Sequence, residues 1–201
     1  MSAEKRPYRM RRREQSQEQT RLRITESAVA LHGTLGPSRT SISAIAAHAG
    51  VRRSTVYRHF ADEAAVFDAC TAHWNAANPP PDLGAWSAIE SPDERLATAL
   101  RELYAYYRQT EGMLDAVFRD ELVMPLVQQR FAAFHGYLAA SRDMLVAGRK
   151  LRGAARRRTH AAIGHAIAFS TWKSLVREQA LDDAEAAMLA QALVAAAGPT
   201  G

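Results

Sequence analysis

Between Ser41 and Phe60, two short segments with apolar faces flank Ala49-Gly50-Val51. No other stretch of the 201-residue chain restricts the fold as strongly. Thr40-Ser41 supplies a hydroxyl N-cap, and Ile42, Ile45, Ala46 and Ala49 recur at helical spacing, which predicts a short helix from Ile42 to Ala49. Gly50 closes it, because glycine takes left-handed backbone without steric cost, and Val51 plugs the space before the next helix. Arg52 to Phe60 reads as a second short helix. Val56 and Phe60, one turn apart, face inward and leave Arg53, Ser54 and Tyr57 largely on the opposite side. Two short helices joined by a glycine turn form a helix-turn-helix, whose second helix is shaped for a major groove.

The residue types on that second helix suit DNA. Arginine reads guanine through two parallel hydrogen bonds, and hydroxyls and imidazoles suit phosphate oxygens, which fix register without reading sequence. The expected DNA-contacting set is Thr40, Ser41, Arg52, Arg53, Ser54, Thr55, Tyr57, Arg58 and His59, joined by Arg11, Arg12 and Arg13 of a basic amino-terminal arm. Charge is concentrated in the same place. Residues 1–60 hold twelve Lys/Arg against four Asp/Glu, a net +8; the remainder holds fourteen against seventeen, −3, and together these make the whole-chain +5. A polyanion-binding head on a mildly acidic body accounts for this split. The alternative is an ordinary helical hairpin with a solvated basic face.

Three divisions are expected: a flexible basic arm over 1–18, a helix-turn-helix domain over 19–62, and a helical body over 63–201. A first helix begins near Gln19, with Leu22, Ala28, Val29 and Leu31–His32 at roughly helical spacing, and ends by Gly36-Pro37. A fourth runs from about Asp62 to Ala76. After the break at Pro79-Pro80-Pro81, Ser91-Pro92-Asp93-Glu94 starts a helix to about Thr110. Further helices are predicted at 112–122, 125–148, 154–179 and 182–197. No segment alternates with period two over strand lengths, so the fold class is all-α.

These features resemble the tetracycline-repressor-like (TetR) family of transcriptional regulators. The matching residues are Ala28, Gly36, Thr40, Ile42, Ile45-Ala46, Ala49-Gly50-Val51, Thr55-Val56-Tyr57 and His59-Phe60. The resemblance implies an α-helical homodimer with an amino-terminal DNA-binding domain and a carboxy-terminal domain that binds a small effector and dimerises. It implies a repressor on a palindromic DNA operator, released by the effector. Three positions depart from the family pattern: His32 replaces an aromatic, Arg52 a capping serine, and Glu63 a phosphate-contacting lysine.

The resemblance also implies that aromatics of the second half line an effector cavity. Candidates are Tyr107, Phe118, Phe134, Tyr137, Phe169 and Trp172, with His165 as a polar contact and a largely apolar effector. Each is equally a residue type found in ordinary cores. The helices near 154–179 and 182–197 look like the dimerisation elements. An enzyme has little support: no histidine pair flanks a glutamate, and no phosphate-binding glycine loop or nucleophile elbow occurs. The single Cys70 lies on an apolar stripe, which favours a buried thiol and excludes an internal disulfide framework. No metal, no cofactor, no membrane partner and a cytoplasmic setting are expected. A constitutive DNA-binding protein without an effector remains the alternative, with a helical enzyme behind it.

Overall fold

The computed structural model describes the backbone of residues 5–198 and the side chains of residues 10–198. Among the described residues every regular element is helical, and no helix is long and apolar enough to cross a membrane. The fold is all-α, as the periodicity predicts. The chain divides into two compact units: Met1–Pro79 with Asp115–Arg130, and Pro80–Leu114 with Phe131–Gly201. The boundary expected between residues 62 and 63 therefore falls inside the first unit.

In the first unit, α1 (Lys5–Thr34), α2 (Ile42–His48), α3 (Arg53–His59) and α4 (Glu63–Ala77) surround one core. That core includes Ile24, Ala28, Ile42, Ile45, Val56, Phe60, Val66 and Cys70. The inward residue near the start of the packed part of α1 is Ile24, whereas Leu22 is 43% exposed. Two residues of helix separate them by about 200°, so both cannot face one core.

The first helix starts at Lys5 rather than near Gln19, so the expected flexible arm is helical from Lys5 onward. Residues 1–4 of that arm lie outside the described residues. Arg, Glu, Gln and Met are good helix formers, and Pro7 sits in the first turn, where its missing N–H is no loss.

The turn between α2 and α3 forms as the sequence predicts. Gly50 has φ +64°; its N–H donates to the Ala47 carbonyl (3.1 Å) and Val51 N–H to Ala46 (2.9 Å). These two bonds satisfy the last carbonyls of α2, and Val51 packs on the core. Asp62 caps α4 by accepting from Ala65 N–H at 2.8 Å.

The loop after α1 is held by two residues at the end of α6 (Pro92–Asp120). Asp120 is only 1% exposed. Its carboxylate accepts from Ser38 N–H at 2.9 Å and from Arg119 Nε at 2.8 Å, while Arg119 Nη2 donates to the Leu35 carbonyl at 3.0 Å. These bonds lower the Asp120 pKa against the opposing, largest effect of burial. Gly36, at φ +95°, is required there: a Cβ would stand 2.0 Å from Arg119 Nη2 and 2.5 Å from Asp120 Oδ2.

His32 lies nearby, buried, against the Phe67 ring at 5.4 Å and with Nδ1 3.3 Å from Cys70 Sγ. Burial lowers its pKa to about 4, with Asp120 opposing, and burial raises that of Cys70 to about 12. At neutral pH this is an uncharged pair.

The second unit holds α5 (Leu83–Ser87), most of α6 and of α7 (Pro125–Val146), then α8 (Gly153–Ala166), α9 (Phe169–Lys173) and α10 (Asp183–Ala196). A π-helical turn, Ser174–Glu178, follows α9.

Two predicted helices, ending at Thr110 and resuming at 112, are the single helix α6. One interior glycine, Gly112, costs only about 1 kcal/mol, and buried Leu103, Tyr107 and Leu114 hold both sides of it.

Conversely, the helix predicted over 154–179 breaks after Ala166. The Tyr104 and Tyr107 hydroxyls donate to the carbonyls of Ala166 (2.8 Å) and Ile167 (2.5 Å), which a continuing helix would have used internally. Asp182 and Glu185 then form a reciprocal capping box at the start of α10.

Arg95, largely buried, donates to the carbonyls of Ile89, Met144 and Ala147 at 2.8–3.2 Å. A cation thus closes the carboxy-terminal end of α7, where the helix dipole favours it.

Candidate nucleic-acid interface

The face of α3 opposite the core is polar and open. Val56 and Phe60 are buried, Arg52, Arg53, Ser54, Tyr57 and Arg58 are exposed, and Thr55 and His59 are half-buried. This is the partition that the spacing predicts. Arg53 Nη2 donates to the Tyr57 hydroxyl at 3.2 Å, with its guanidinium 5.5 Å from the Tyr57 ring. The two residues, one turn apart, therefore present one joined surface carrying a planar cation and an aromatic ring.

Arg52 is the N-cap of α3 and makes no side-chain capping bond. Thr55 N–H is held by the Arg52 backbone carbonyl at 2.8 Å, so the N–H groups ahead of it are left without a side-chain cap and with a cation beside them. Both features favour an anion at that point.

The flanking hydroxyls differ in what they can still offer. Thr40 Oγ1 donates to the Gly36 carbonyl at 2.8 Å, so its hydrogen is committed. Ser41 Oγ instead accepts from Ala44 N–H at 3.1 Å, a bond that does not use its own hydrogen. Glu63 is exposed in the first turn of α4, where a carboxylate suits the helix dipole.

His59 has its pKa lowered by burial and then by the Arg58 and Arg21 charges, against Glu18. At neutral pH it offers one N–H donor and one acceptor. Arg21, absent from the sequence-based set, donates from Nη1 to the His59 carbonyl at 2.7 Å. Its guanidinium lies 4.3 Å from the Phe60 ring centre. No local pattern marks it, because its partners lie 38 residues away.

Arg11, Arg12 and Arg13 are exposed and helical. Consecutive helical residues are about 100° apart, so the three point in three directions and cannot line one strand together.

In the second unit, five of the seven effector candidates form one aromatic chain. Tyr107, Phe169 and Trp172 are buried; Tyr107 meets the Phe169 ring at 5.4 Å and Trp172 at 6.0 Å. Tyr106 links this group to Phe134, 6.3 Å away, which stacks on Tyr137 at 6.0 Å. Tyr106 was missed because it lies one residue off the 104/107 helical stripe. Trp172 Nε1 donates to Asp183 Oδ1 at 2.9 Å, and Asp183 also pairs with Arg108.

The other two candidates are placed differently. Phe118 belongs to the first unit. His165, expected as a polar contact inside, is exposed, because Ile163, Ala166 and Ile167 occupy the buried positions around it.

Residues 24–70 match the family model described as bacterial regulatory proteins, tetR family. No curated protein matches the chain. Among solved structures, a Mesorhizobium loti protein put forward as a TetR-family transcriptional regulator has a TM-score of 0.61 at 19% identity, covering 90% of this chain and 96% of that one. A Clostridium perfringens protein put forward as a fatty acid metabolism regulator has a TM-score of 0.61 at 15% identity, covering 89% and 100%. The transcriptional regulator FadR from Bacillus subtilis, in complex with stearoyl-CoA, has a TM-score of 0.55 at 17% identity, covering 88% and 96%.

Proposed function

From the premise that residues 24–70 carry the tetR-family module on a fold shared with a TetR-family structure over 90% of the chain, we propose that this protein is a dimeric, one-component DNA-binding transcriptional regulator. It acts as a repressor on a palindromic operator and is released by a small effector. The observation that carries this reading is the division of α3: Val56 and Phe60 locked in the core, and Arg52, Arg53, Ser54, Tyr57 and Arg58 exposed on the other side.

Arg53, with Tyr57 beside it, reads base edges. Ser41, Thr55, Arg58 and His59 hold phosphates, Arg52 assists at the start of α3, and Arg11, Arg12 and Arg13 add charge from α1. Thr40 serves through its hold on Gly36 and as an acceptor. The second unit supplies the effector site around Phe134 and Tyr137, the half-buried members of the aromatic chain, for a largely apolar compound. The acyl chain of the ligand in the FadR complex accords with that chemistry. Dimerisation uses α8 and α10, where Met188 and Leu193 are 63% and 55% exposed. A two-fold dimer presents two recognition helices, which is why the operator is palindromic.

The test begins by selecting duplexes from a random pool with the wild-type protein. Binding of the selected duplex is then compared for wild type, Arg53→Ala and Tyr57→Ala. A bidentate arginine contact is worth about 1–3 kcal/mol, so Arg53→Ala should weaken binding roughly 5- to 150-fold and relax one base position. Unaltered affinity and preference would remove α3 from the reading. Selection of no duplex would remove DNA binding altogether.

A further inference from the structure

We propose that Arg21 is a positioning residue for DNA recognition: it reaches from α1 to hold the carboxy-terminal turn of α3 and does not itself contact DNA. The inference rests on the reading of α3 as the recognition helix.

Three observations carry it. First, α3 has only seven residues, fewer than the 12–15 or so that an isolated helix needs for even marginal stability in water, so its orientation comes from what it packs against. Second, its start has no side-chain cap, since Arg52 holds the first turn only through its backbone carbonyl, which accepts from Thr55 N–H at 2.8 Å. Third, its end is secured twice from α1. Arg21 Nη1 donates to the carbonyl of His59, the last residue of the helix, at 2.7 Å. The same guanidinium lies 4.3 Å from the ring centre of the C-cap Phe60.

Phe60 is buried and returns its own N–H to the Val56 carbonyl at 2.9 Å. Arg21 therefore meets both parts of the hinge at which the helix could rotate: its last carbonyl and its terminal anchor. A cation also suits the negative end of a helix dipole.

The guanidinium is needed for its shape as well as its charge. A planar fork can donate to a carbonyl while its face covers a ring, and a lysine ammonium cannot do both. A direct phosphate contact, the competing role, would need only the charge.

The experiment compares wild type, Arg21→Lys and Arg21→Gln on two duplexes, one selected by the wild-type protein and one of unrelated sequence, across a range of salt. The positioning role predicts that both variants lose roughly tenfold in affinity for the selected duplex. It also predicts unchanged affinity for the unrelated duplex and an unchanged salt slope. A phosphate contact predicts that Arg21→Lys binds like wild type, while Arg21→Gln weakens on both duplexes with a salt slope lower by about one. That result overturns the proposal, as does wild-type affinity in both variants.

Amide hydrogen exchange without DNA covers the case in which a variant is destabilised. Protection should fall in Arg21→Lys at Phe60 and within α3 while the buried amides of α1 and α4 keep theirs. Uniform loss, or no loss, refutes the local hold. If the wild-type protein selects no duplex, it is the DNA-binding reading that fails, and the exchange result still reports on Arg21.

Discussion

Replacing Gly36 and Gly50 with alanine separates backbone strain from the clamp at the end of α6. Both glycines have positive φ, so alanine is strained at either site. At Gly50, φ +64°, a new Cβ meets nothing within 4 Å, and the cost is the left-handed backbone alone, about 1 kcal/mol.

At Gly36, φ +95° and ψ 155° define a region open essentially to glycine only, which costs about 1–3 kcal/mol. The Cβ also stands 2.0 Å from Arg119 Nη2 and 2.5 Å from Asp120 Oδ2. The Arg119 side chain, 48% exposed, swings aside at the cost of a half-solvated bond, a few tenths of a kcal/mol. Asp120 has no such freedom. Its bond to Ser38 N–H must stretch, or the loop must move, for about another 1–2 kcal/mol.

Gly36→Ala should therefore destabilise by about 2–5 kcal/mol, and by about 1–4 more than Gly50→Ala. Urea unfolding followed by circular dichroism, at equal m-values, measures the difference. If the two variants agree within about 0.5 kcal/mol, less than the single Asp120–Ser38 bond is reckoned to contribute, the clamp contributes nothing beyond strain.

Other expectations are as direct. The His32 pKa of about 4 lies below its unfolded value of about 6.5, so the unfolded chain takes the proton first as pH falls. His32 then leaves stability intact above about pH 6.5 and removes up to about 3 kcal/mol by pH 4; His32→Phe should flatten that slope, and parallel pH curves would refute a buried neutral imidazole. Leu193→Glu should yield monomers in sedimentation and lose the selected duplex; an intact dimer would remove α10 from the interface. Asp182→Ala should cost about 1 kcal/mol through its capping box, read from the thermal midpoint; an unchanged midpoint would make the box ornamental. Arg95→Met removes the side-chain donor from the Ile89 and Ala147 carbonyls, while Met144 keeps its bond from Ala147 N–H; a loss under about 1 kcal/mol in urea would mean water replaces the guanidinium fully.

The parts of the fold legible in the sequence are those fixed by neighbours in the chain. The Gly50 turn, the Ser41 cap and the Val56/Phe60 anchor all depend on residues within four positions, and each forms as predicted. The errors occur where distant residues decide. Gly112 looks like a stop until buried Leu103 and Leu114 hold the helix through it. The segment over 154–179 looks continuous until Tyr104 and Tyr107 take the Ala166 and Ile167 carbonyls.

The candidate site follows the same rule. The exposed set on α3 is readable from spacing, whereas Arg21 acts across a sequence gap that no spacing reveals. The exposure of His165 is not readable in this way, because a histidine among small residues carries no sign of which face it occupies.

The hydroxyl bonds that end α8 have a chemical consequence for whatever approaches the aromatic chain. Tyr104, Tyr107 and Tyr137 each give their one hydroxyl hydrogen to a backbone carbonyl, those of Ala166, Ile167 and Pro81. A phenol whose hydrogen is spent is left with oxygen lone pairs only. Towards a visitor these tyrosines behave as ethers do: they welcome an alcohol or an amine and have nothing to offer a ketone. A compound series differing only in carbonyl versus hydroxyl would read that preference.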